Sequence, residues 1–376
     1  MTIYPFSQIA ANITSRVEPS DTELDRYVGL EHLDPESLKL RRWGSPADVI
    51  GQKLRFWKGD IIYGKRRAYQ RKLAVADFDG ICSAHAMVLR AKPDVCLPEF
   101  LPFFLQSDLF HQRAMEISVG SLSPTINWGT LAVQEFPLPP VDEQRRIADL
   151  LWAADDTLQQ WQNVSAKLDT LADSYRDSIY SSSLKYPTAK IKDVSVKVSK
   201  GESPNWQGFK YLDSGIRFIT SENVLFGKFE PEPAKYISGD FHAKIQRSAV
   251  EKDDMLINIV GASIGRACLA PVGNANVNQA VCVVRLRPEV VLPEFALSCL
   301  LSKQAMRNLT SQSVNTARAN LSLEMIREFE IPIPPISVQT EMMGKMGGIT
   351  RTNDDCCLHI ENTRSLIRQI LNSELG

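Results

Sequence analysis

Five cations fall within the ten residues Tyr63-Gly64-Lys65-Arg66-Arg67-Ala68-Tyr69-Gln70-Arg71-Lys72, and no anion interrupts them. Cations at that density suit phosphate, since each one neutralises a backbone charge and releases the counterion that held it. Tyr63 and Tyr69 interleave the series with rings that can stack on a base. Lys65, Arg66, Arg67, Tyr69, Arg71 and Lys72 are therefore candidate nucleic-acid contacts, with a solvated hairpin as the competing reading. Two polar stretches, residues 118–127 and 311–322, carry the Ser, Thr, Asn and Arg side chains that bond base edges. In the second of them Asn315, Arg318 and Asn320 are candidates, and an ordinary loop is the alternative. Arg266 and Gln279 join the set, although Gly261 and Gly265 ahead of Arg266 also suit a plain tight turn.

Signatures of catalysis are missing. The sequence holds no GxxxxGK[ST] phosphate loop, no GxGxxG after a strand and no HExxH. Pro139-Pro140 and Pro334-Pro335 follow Leu138 and Ile333, so neither is the Asn-Pro-Pro-aromatic or Asp-Pro-Pro-aromatic tetrapeptide of amino-methyltransferases. A binding chain without chemistry of its own is the expectation.

The candidate contacts need elements that hold them. Pro139 and Pro140 stop a strand and suit the first helical position, where the missing N–H costs nothing. Asp142 and Glu143 follow in what would be the first turn, favourable for anions. From there Ile147, Leu151, Ala154, Leu158, Trp161, Ser165, Leu168, Ala172, Tyr175 and Ile179 alternate steps of four and three. That is a heptad seam. Met342, Met346, Ile349, Asn353, Cys356, Ile360, Thr363, Ile367 and Ile370 form a second one after Pro334-Pro335. The spacing predicts two long amphipathic helices that pair, with Asn353 fixing their register. Gly344, Gly347 and Gly348 cost up to about 1 kcal/mol each against Ala, so the second helix is expected to fray or start late. Trp152 stands off the first seam, open to a partner or to packing on a neighbouring module.

The two Pro-Pro entries belong to a longer repeat. Phe136-Pro137-Leu138-Pro139-Pro140 recurs as Ile331-Pro332-Ile333-Pro334-Pro335, and Leu97-Pro98-Glu99-Phe100 as Leu292-Pro293-Glu294-Phe295, both 195 residues on. Arg90 and Pro93 match Arg285 and Pro288 at the same offset, while Lys58-Gly59-Asp60 matches Lys252-Asp253-Asp254 at 194. The chain is a tandem duplication, so its function is one served by two similar modules. Residues 60–63, 86–89, 254–260 and 280–284 read as strands, and a helical pattern follows each Leu-Pro-Glu-Phe.

At 376 residues the chain suits two domains plus connectors. A net charge of −1 argues weakly against nucleic acid, but residues 141–186 hold 5 basic and 8 acidic groups against 18 and 15 for residues 187–330. Local clusters therefore decide, not the sum. No apolar run approaches the length that spans a bilayer, and no charged-then-apolar start suggests a signal peptide. The seven cysteines form no CxxC pair, so reduced thiols in a cytosol are expected, with no metal.

In their order and duplicated spacing these pieces resemble the DNA-specificity subunit of type I restriction-modification systems. The resemblance rests on both Pro-rich helix entries, on Glu143-Gln144-Arg145-Arg146-Ile147, and on the strands ending at Leu-Pro-Glu-Phe. Lys200-Gly201-Glu202-Ser203-Pro204 with Gly215-Ile216-Arg217-Phe218-Ile219 looks like that family's second-domain opening, and Tyr27-Val28-Gly29-Leu30-Glu31-His32 like its first. The second entry, Ser337-Val338-Gln339-Thr340-Glu341, keeps the Gln and lacks the preceding Glu and the Arg pair.

The resemblance implies an α+β chain of two tandem α/β target-recognition domains separated by two long helices forming an antiparallel coiled coil. Residues 1–140 and 187–335 would be the domains, and residues 141–186 and 336–376 the helices. Each domain would read one half of a split site in double-stranded DNA, with Ser203 and Arg217 added as contacts. The helices would set the spacing and bind methyltransferase subunits through Glu143, Gln144, Arg145, Arg146, Trp152 and Gln339. S-adenosylmethionine, ATP and Mg2+ would serve those subunits and a restriction subunit in the bacterial or archaeal cytoplasm, not this chain. A specificity subunit of a methylation-only or phage-defence system, and a tandem adaptor that binds no DNA, are the alternatives.

Overall fold

The computed structural model describes residues 1–35, 37–311 and 320–375, without the side chains of residues 310 and 311. It divides into two compact units: Met1–Gln162 with Cys357–Gly376, and Asn163–Cys356.

In the first unit, strand Thr2–Pro5 pairs antiparallel with Glu135–Leu138 and stitches the two ends of the module together. An antiparallel sheet runs in the order Ala10–Ile13, Met87–Ala91, Ile61–Tyr63, Leu73–Val75. Side chains alternate across a strand, and the apolar runs use both faces. Ile61, Tyr63, Leu73, Met87 and Leu89 enter a core with Phe100, Phe104, Phe110 and Phe136. Ile62, Ala74 and Val88 enter a second core with Phe56 and Val28. A second sheet, in the order Arg16–Val17, Lys53–Phe56, Gly80–Cys82, Tyr27–Val28, closes that side, its last pair being parallel.

The second unit repeats the plan. Strand Thr188–Lys190 pairs with Glu330–Pro332, and a sheet runs in the order Ser195–Lys200, Val281–Leu286, Met255–Asn258, Ala267–Leu269. Met255, Ile257, Cys282 and Val284 face one core, and Leu256, Val281 and Val283 face the other. Ile216–Ile219 lies parallel to Ala275–Val277 in a further sheet.

Polar anchors are duplicated as well. The buried Asp60 carboxylate receives Arg90 Nε at 2.7 Å and Nη2 at 3.0 Å. Asp254 receives Arg285 Nε and Nη2, both at 2.8 Å. Ser107 Oγ accepts from Phe110 N and Ser302 Oγ from Ala305 N, each at 3.2 Å, capping the helices Asp108–Glu116 and Lys303–Ser311. The helix after Leu-Pro-Glu-Phe begins at Pro293 in the second copy, as its proline predicts. In the first copy it begins only at Leu101, because Pro102 is tolerated in a first turn and not deeper.

The long helices are Val141–Ser183 and Ile336–Leu375. The second starts where its Pro-Pro entry puts it, neither late nor frayed, which corrects the expectation from its glycines. Met342, Met343 and Met346 pack on the second module's core, and such packing outweighs propensity. The helices run antiparallel. Arg146 meets Glu374 at 2.8 Å and Trp161 stacks on His359 at 4.4 Å in the first unit. Ser165 Oγ donates to Asn353 Oδ1 at 2.8 Å and Tyr175 Oη to the Met342 carbonyl at 3.4 Å in the second. Ile147, Leu151, Leu158 and Ile179 of one seam, and Met346 and Cys356 of the other, are buried. Among the described residues no helix is long and apolar enough to cross a membrane.

Candidate nucleic-acid interface

Tyr63 stands opposite Leu73 in the antiparallel pair, so the cationic decapeptide is a hairpin. Gly64 N donates to Lys72 O at 2.8 Å and adds one rung. A single 3-10 turn, Ala68–Gln70, forms the tip. It is flanked by Arg67 and Arg71, both left-handed with φ of 56° and 49°, a conformation that costs an arginine energy and needs support from its surroundings.

That support is the polar stretch after residue 117. Ile126 N donates to Lys65 O at 3.0 Å, Arg67 N donates to Pro124 O at 2.8 Å, and Arg66 and Thr125 form an antiparallel bridge. Val119 and Thr125 close the stretch into a small loop with reciprocal bonds of 3.0 Å. The two candidate segments of the first module are thus one surface. Arg66, Arg67 and Tyr69 are exposed on it, and Lys65 is half-buried.

Not every cation of the hairpin is left without a partner. Arg71 pairs with Asp108 at 2.7 Å, and Lys72 Nζ donates to Leu30 O at 2.9 Å. Tyr63 is buried edge-on to Phe110 at 5.9 Å, and burial pushes its hydroxyl pKa up, so it is no stacking ring. Lys65 instead lines a groove with Asn12, Thr14, Arg16, Lys53 and Asn127. Arg16 and Lys53 escaped the sequence reading because they sit on paired strands, and no linear cluster marks them.

The second module builds the same frame. Ile257 pairs with Ala267, and Asn258 N and Gly265 N close the hairpin at 2.8 and 2.9 Å. Gly261 and Gly265 supply its left-handed positions, with φ of 80° and 81°. Leu321 N donates to Ile259 O at 3.0 Å and Val260 bridges Asn320. These repeat the bonds of Ile126 to Lys65 and of Arg66 to Thr125, at the offsets of 195 and 194 seen in the sequence. Where the first frame carries Arg66 and Arg67, the second carries Val260 and Gly261. Among the described residues, Arg266 and Asn320 are exposed polar groups on it.

A Cβ on Gly201 would meet Val277 O at 1.7 Å. That close approach, which only glycine permits, brings the stretch bearing Ser203 against the turn bearing Gln279. Both side chains are half-buried, and Gln279 Oε1 has no hydrogen-bond partner among the described residues. Arg217 is anchored on the Pro231 carbonyl and over the Tyr236 ring. Trp206, 82% exposed on the turn Asn205–Gln207, is a candidate the sequence reading missed. Asn315 and Arg318 lie outside the described residues.

At the helix entries, two expected partner contacts are corrected. Gln144 and Gln339 are buried, and each carboxamide is bonded on both of its ends within its own unit, which leaves nothing to offer a partner. Trp152 packs on Phe103 with ring centroids 5.0 Å apart and donates to Glu99 O at 2.9 Å. Arg145 and Arg146 are exposed. Arg146 grips Glu143 at 2.5 Å, and that hydrogen bond holds the carboxyl below its ordinary pKa.

The family model described as "Type I restriction modification DNA specificity domain" matches residues 49–168 and 185–354, once in each module. The chain belongs to this family. Among specificity subunits, it is 29% identical to that of the type I restriction enzyme EcoDI of Escherichia coli, over 45% of this chain and 39% of that one. It is 25% identical to the EcoBI specificity subunit of Escherichia coli, over 73% and 63% of the two chains. The chain thus spans less than two thirds of the length of these two relatives. Its fold matches a chain from a structure of complex assembly and conformational transition in a type I R-M system, with TM-score 0.62, 17% identity and coverage of 100% and 98%. It also matches a type I restriction-modification S subunit from M. genitalium, with TM-score 0.60, 15% identity and coverage of 100% and 96%.

Proposed function

We propose that this specificity-family chain reads a two-part site in double-stranded DNA, one half with each module, and performs no chemistry itself. The observation that carries this reading is the duplicated frame: a hairpin bridged by backbone bonds to a polar loop, presenting Arg66, Arg67 and Tyr69 in one copy and Arg266 and Asn320 in the other. A backbone scaffold that is constant while its outward side chains differ is suited to reading two different half-sites. Arg66 and Arg67, with Lys65, Arg16 and Lys53 in the adjoining groove, would grip phosphate and position the module. Ser203, Gln279, Arg266 and Asn320 would contribute the base-edge contacts of the second module.

The helices would join the readers to methyltransferase subunits. Glu143, Arg145 and Arg146 at the first entry, and the exposed Leu150, Val164 and Leu171 at heptad intervals along the same helix, fit a helix-binding partner. Methyl transfer from S-adenosylmethionine, and ATP- and Mg2+-dependent translocation and cleavage, would belong to those and to restriction subunits. Sequencing the methylation marks laid down on genomic DNA by the chain with its methyltransferase tests the reading. Two short motifs separated by a fixed unspecific spacer are expected. Marks without a two-part motif would reject it.

A further inference from the structure

Gln144 and Gln339 hold the same three partners, 195 residues apart in sequence. Gln144 Oε1 accepts from Leu97 N at 2.9 Å, while Nε2 donates to Val95 O at 2.8 Å and to Pro139 O at 3.0 Å. Gln339 Oε1 accepts from Leu292 N at 2.8 Å, while Nε2 donates to Val290 O at 3.1 Å and to Pro334 O at 2.8 Å. Each carboxamide therefore ties the first turn of a long helix to the turn that follows a strand of the module from which that helix leaves.

The rest of the first joint is an apolar core, in which Ile147, Ala148 and Leu151 join Phe103 and Phe104, and a set of exposed bonds, Trp152 Nε1 to Glu99 O at 2.9 Å, Lys39 to Asp156 at 2.7 Å and Arg41 to Gln162 at 2.9 Å. Apolar contact is non-directional, so it resists separation of helix and module far more than it resists a small tilt. Hydrogen bonds are directional, and those of the buried carboxamides, shielded from competing water as the exposed ones are not, hold the angle most firmly. The lever is long. A helix of 43 residues is about 65 Å in length at roughly 1.5 Å per residue, so a tilt of about 3° moves its far end by about 3.4 Å, one base-pair step.

We infer that Gln144 and Gln339 are positioning residues that set the angle at which each long helix leaves its module, and through it the number of base pairs between the half-sites. This inference rests on the two-part reading above. Neither carboxamide touches DNA in this scheme, so the half-site motifs are independent of it.

The test uses the full chain with its methyltransferase on a duplex library with randomised half-sites and spacers of varied length, read by sequencing the methylated molecules. Gln144→Met keeps the side chain's length and removes all three bonds, and Gln339→Met repeats the experiment at the other joint should the first variant fold poorly. Leu151→Ala weakens the apolar part of the same joint and leaves the carboxamide in place. The expected result is that wild type selects one spacer. Gln144→Met should accept spacers one base pair longer and shorter, with preference for the original falling on the order of tenfold, the scale of one lost buried bond. Its half-site motifs should be unchanged, and Leu151→Ala should melt lower with the spacer still single. A glutamine variant that folds and keeps one spacer, or a Leu151→Ala spread equal to that of Gln144→Met, overturns the inference. If wild type selects no two-part motif at all, the functional reading fails instead.

Discussion

Arg66 and Thr125 face each other across an antiparallel backbone bridge, and through it the cationic hairpin of the first module rests on its polar loop. The bridge fixes the backbone and leaves the guanidinium outside, so charge at this site changes without changing the frame. Replacing Arg66 and Arg67 together with Ala should leave the melting temperature within about 2 °C of wild type, as for surface positions. The slope of log affinity for DNA against log salt should fall by about two units, one for each lost phosphate contact. Titrations at several salt concentrations check this, and an unchanged slope would show that the hairpin faces solvent only. The same measurement on Arg71→Ala should show little change in slope, because Arg71 is already paired with Asp108.

Asp60 and Asp254 should matter for stability and not for DNA affinity. Each buried carboxylate takes two bonds from an arginine and one from a backbone amide, Trp57 N at 2.9 Å or Glu251 N at 2.8 Å. Asp254→Ala should cost about 2–3 kcal/mol, with Arg285 partly rescued by solvent. Urea unfolding measures the loss, and a loss below about 0.5 kcal/mol, the surface range, would mean that the pair is incidental.

Asp155 gives a pH test. It is buried on the first long helix, and burial raises its pKa, while the hydrogen bond from Gln159 and the nearby Lys39 and Arg41 oppose the rise. The folded carboxyl thus binds its proton more tightly than the unfolded one, and stability falls as pH rises through the interval between the two pKa values. Asp155→Asn keeps an acceptor for Gln159 and removes the charge. It should melt above wild type at neutral pH, and the difference should vanish in acid, where both carboxyl states are protonated. Identical melting at neutral pH would contradict this.

Asn353 accepts from Ser165 and donates to Asp169 Oδ1, each at 2.8 Å. A polar group on a seam lowers stability and selects one register. Asn353→Leu should raise the melting temperature and broaden the distance distribution between spin labels on the two helices. A single, unchanged distance would mean that the apolar seam alone sets register.

These elements differ in how far the sequence disclosed them. The long helices were legible, because a heptad period is printed in consecutive residues and the Pro-Pro entries mark both starts. The expectation that the second helix frays or starts late at Gly344, Gly347 and Gly348 fails, since local propensity carries no term for Met342 and Met346 packing on a distant core. Density of charge located the hairpin but could not sort its cations. The carbonyl contact of Lys72 depends on Leu30, 42 residues away, and the ion pair of Arg71 on Asp108. Arg16 and Lys53 reach the groove through strand pairing and carry no linear signal. The glutamine of each helix entry was visible as a repeat, yet its role was not, because exposure cannot be read from a motif. Asn315 and Arg318 fall outside the described residues.

The central claim is that two independent modules each read half of one site. Its most direct measurement exchanges residues 187–335 for the matching region of another family member and maps the methylated sequence with the same methyltransferase. The account predicts that one half-site changes to that of the donor, while the other half-site stays as it was. Both half-sites changing together, or neither changing, would contradict it.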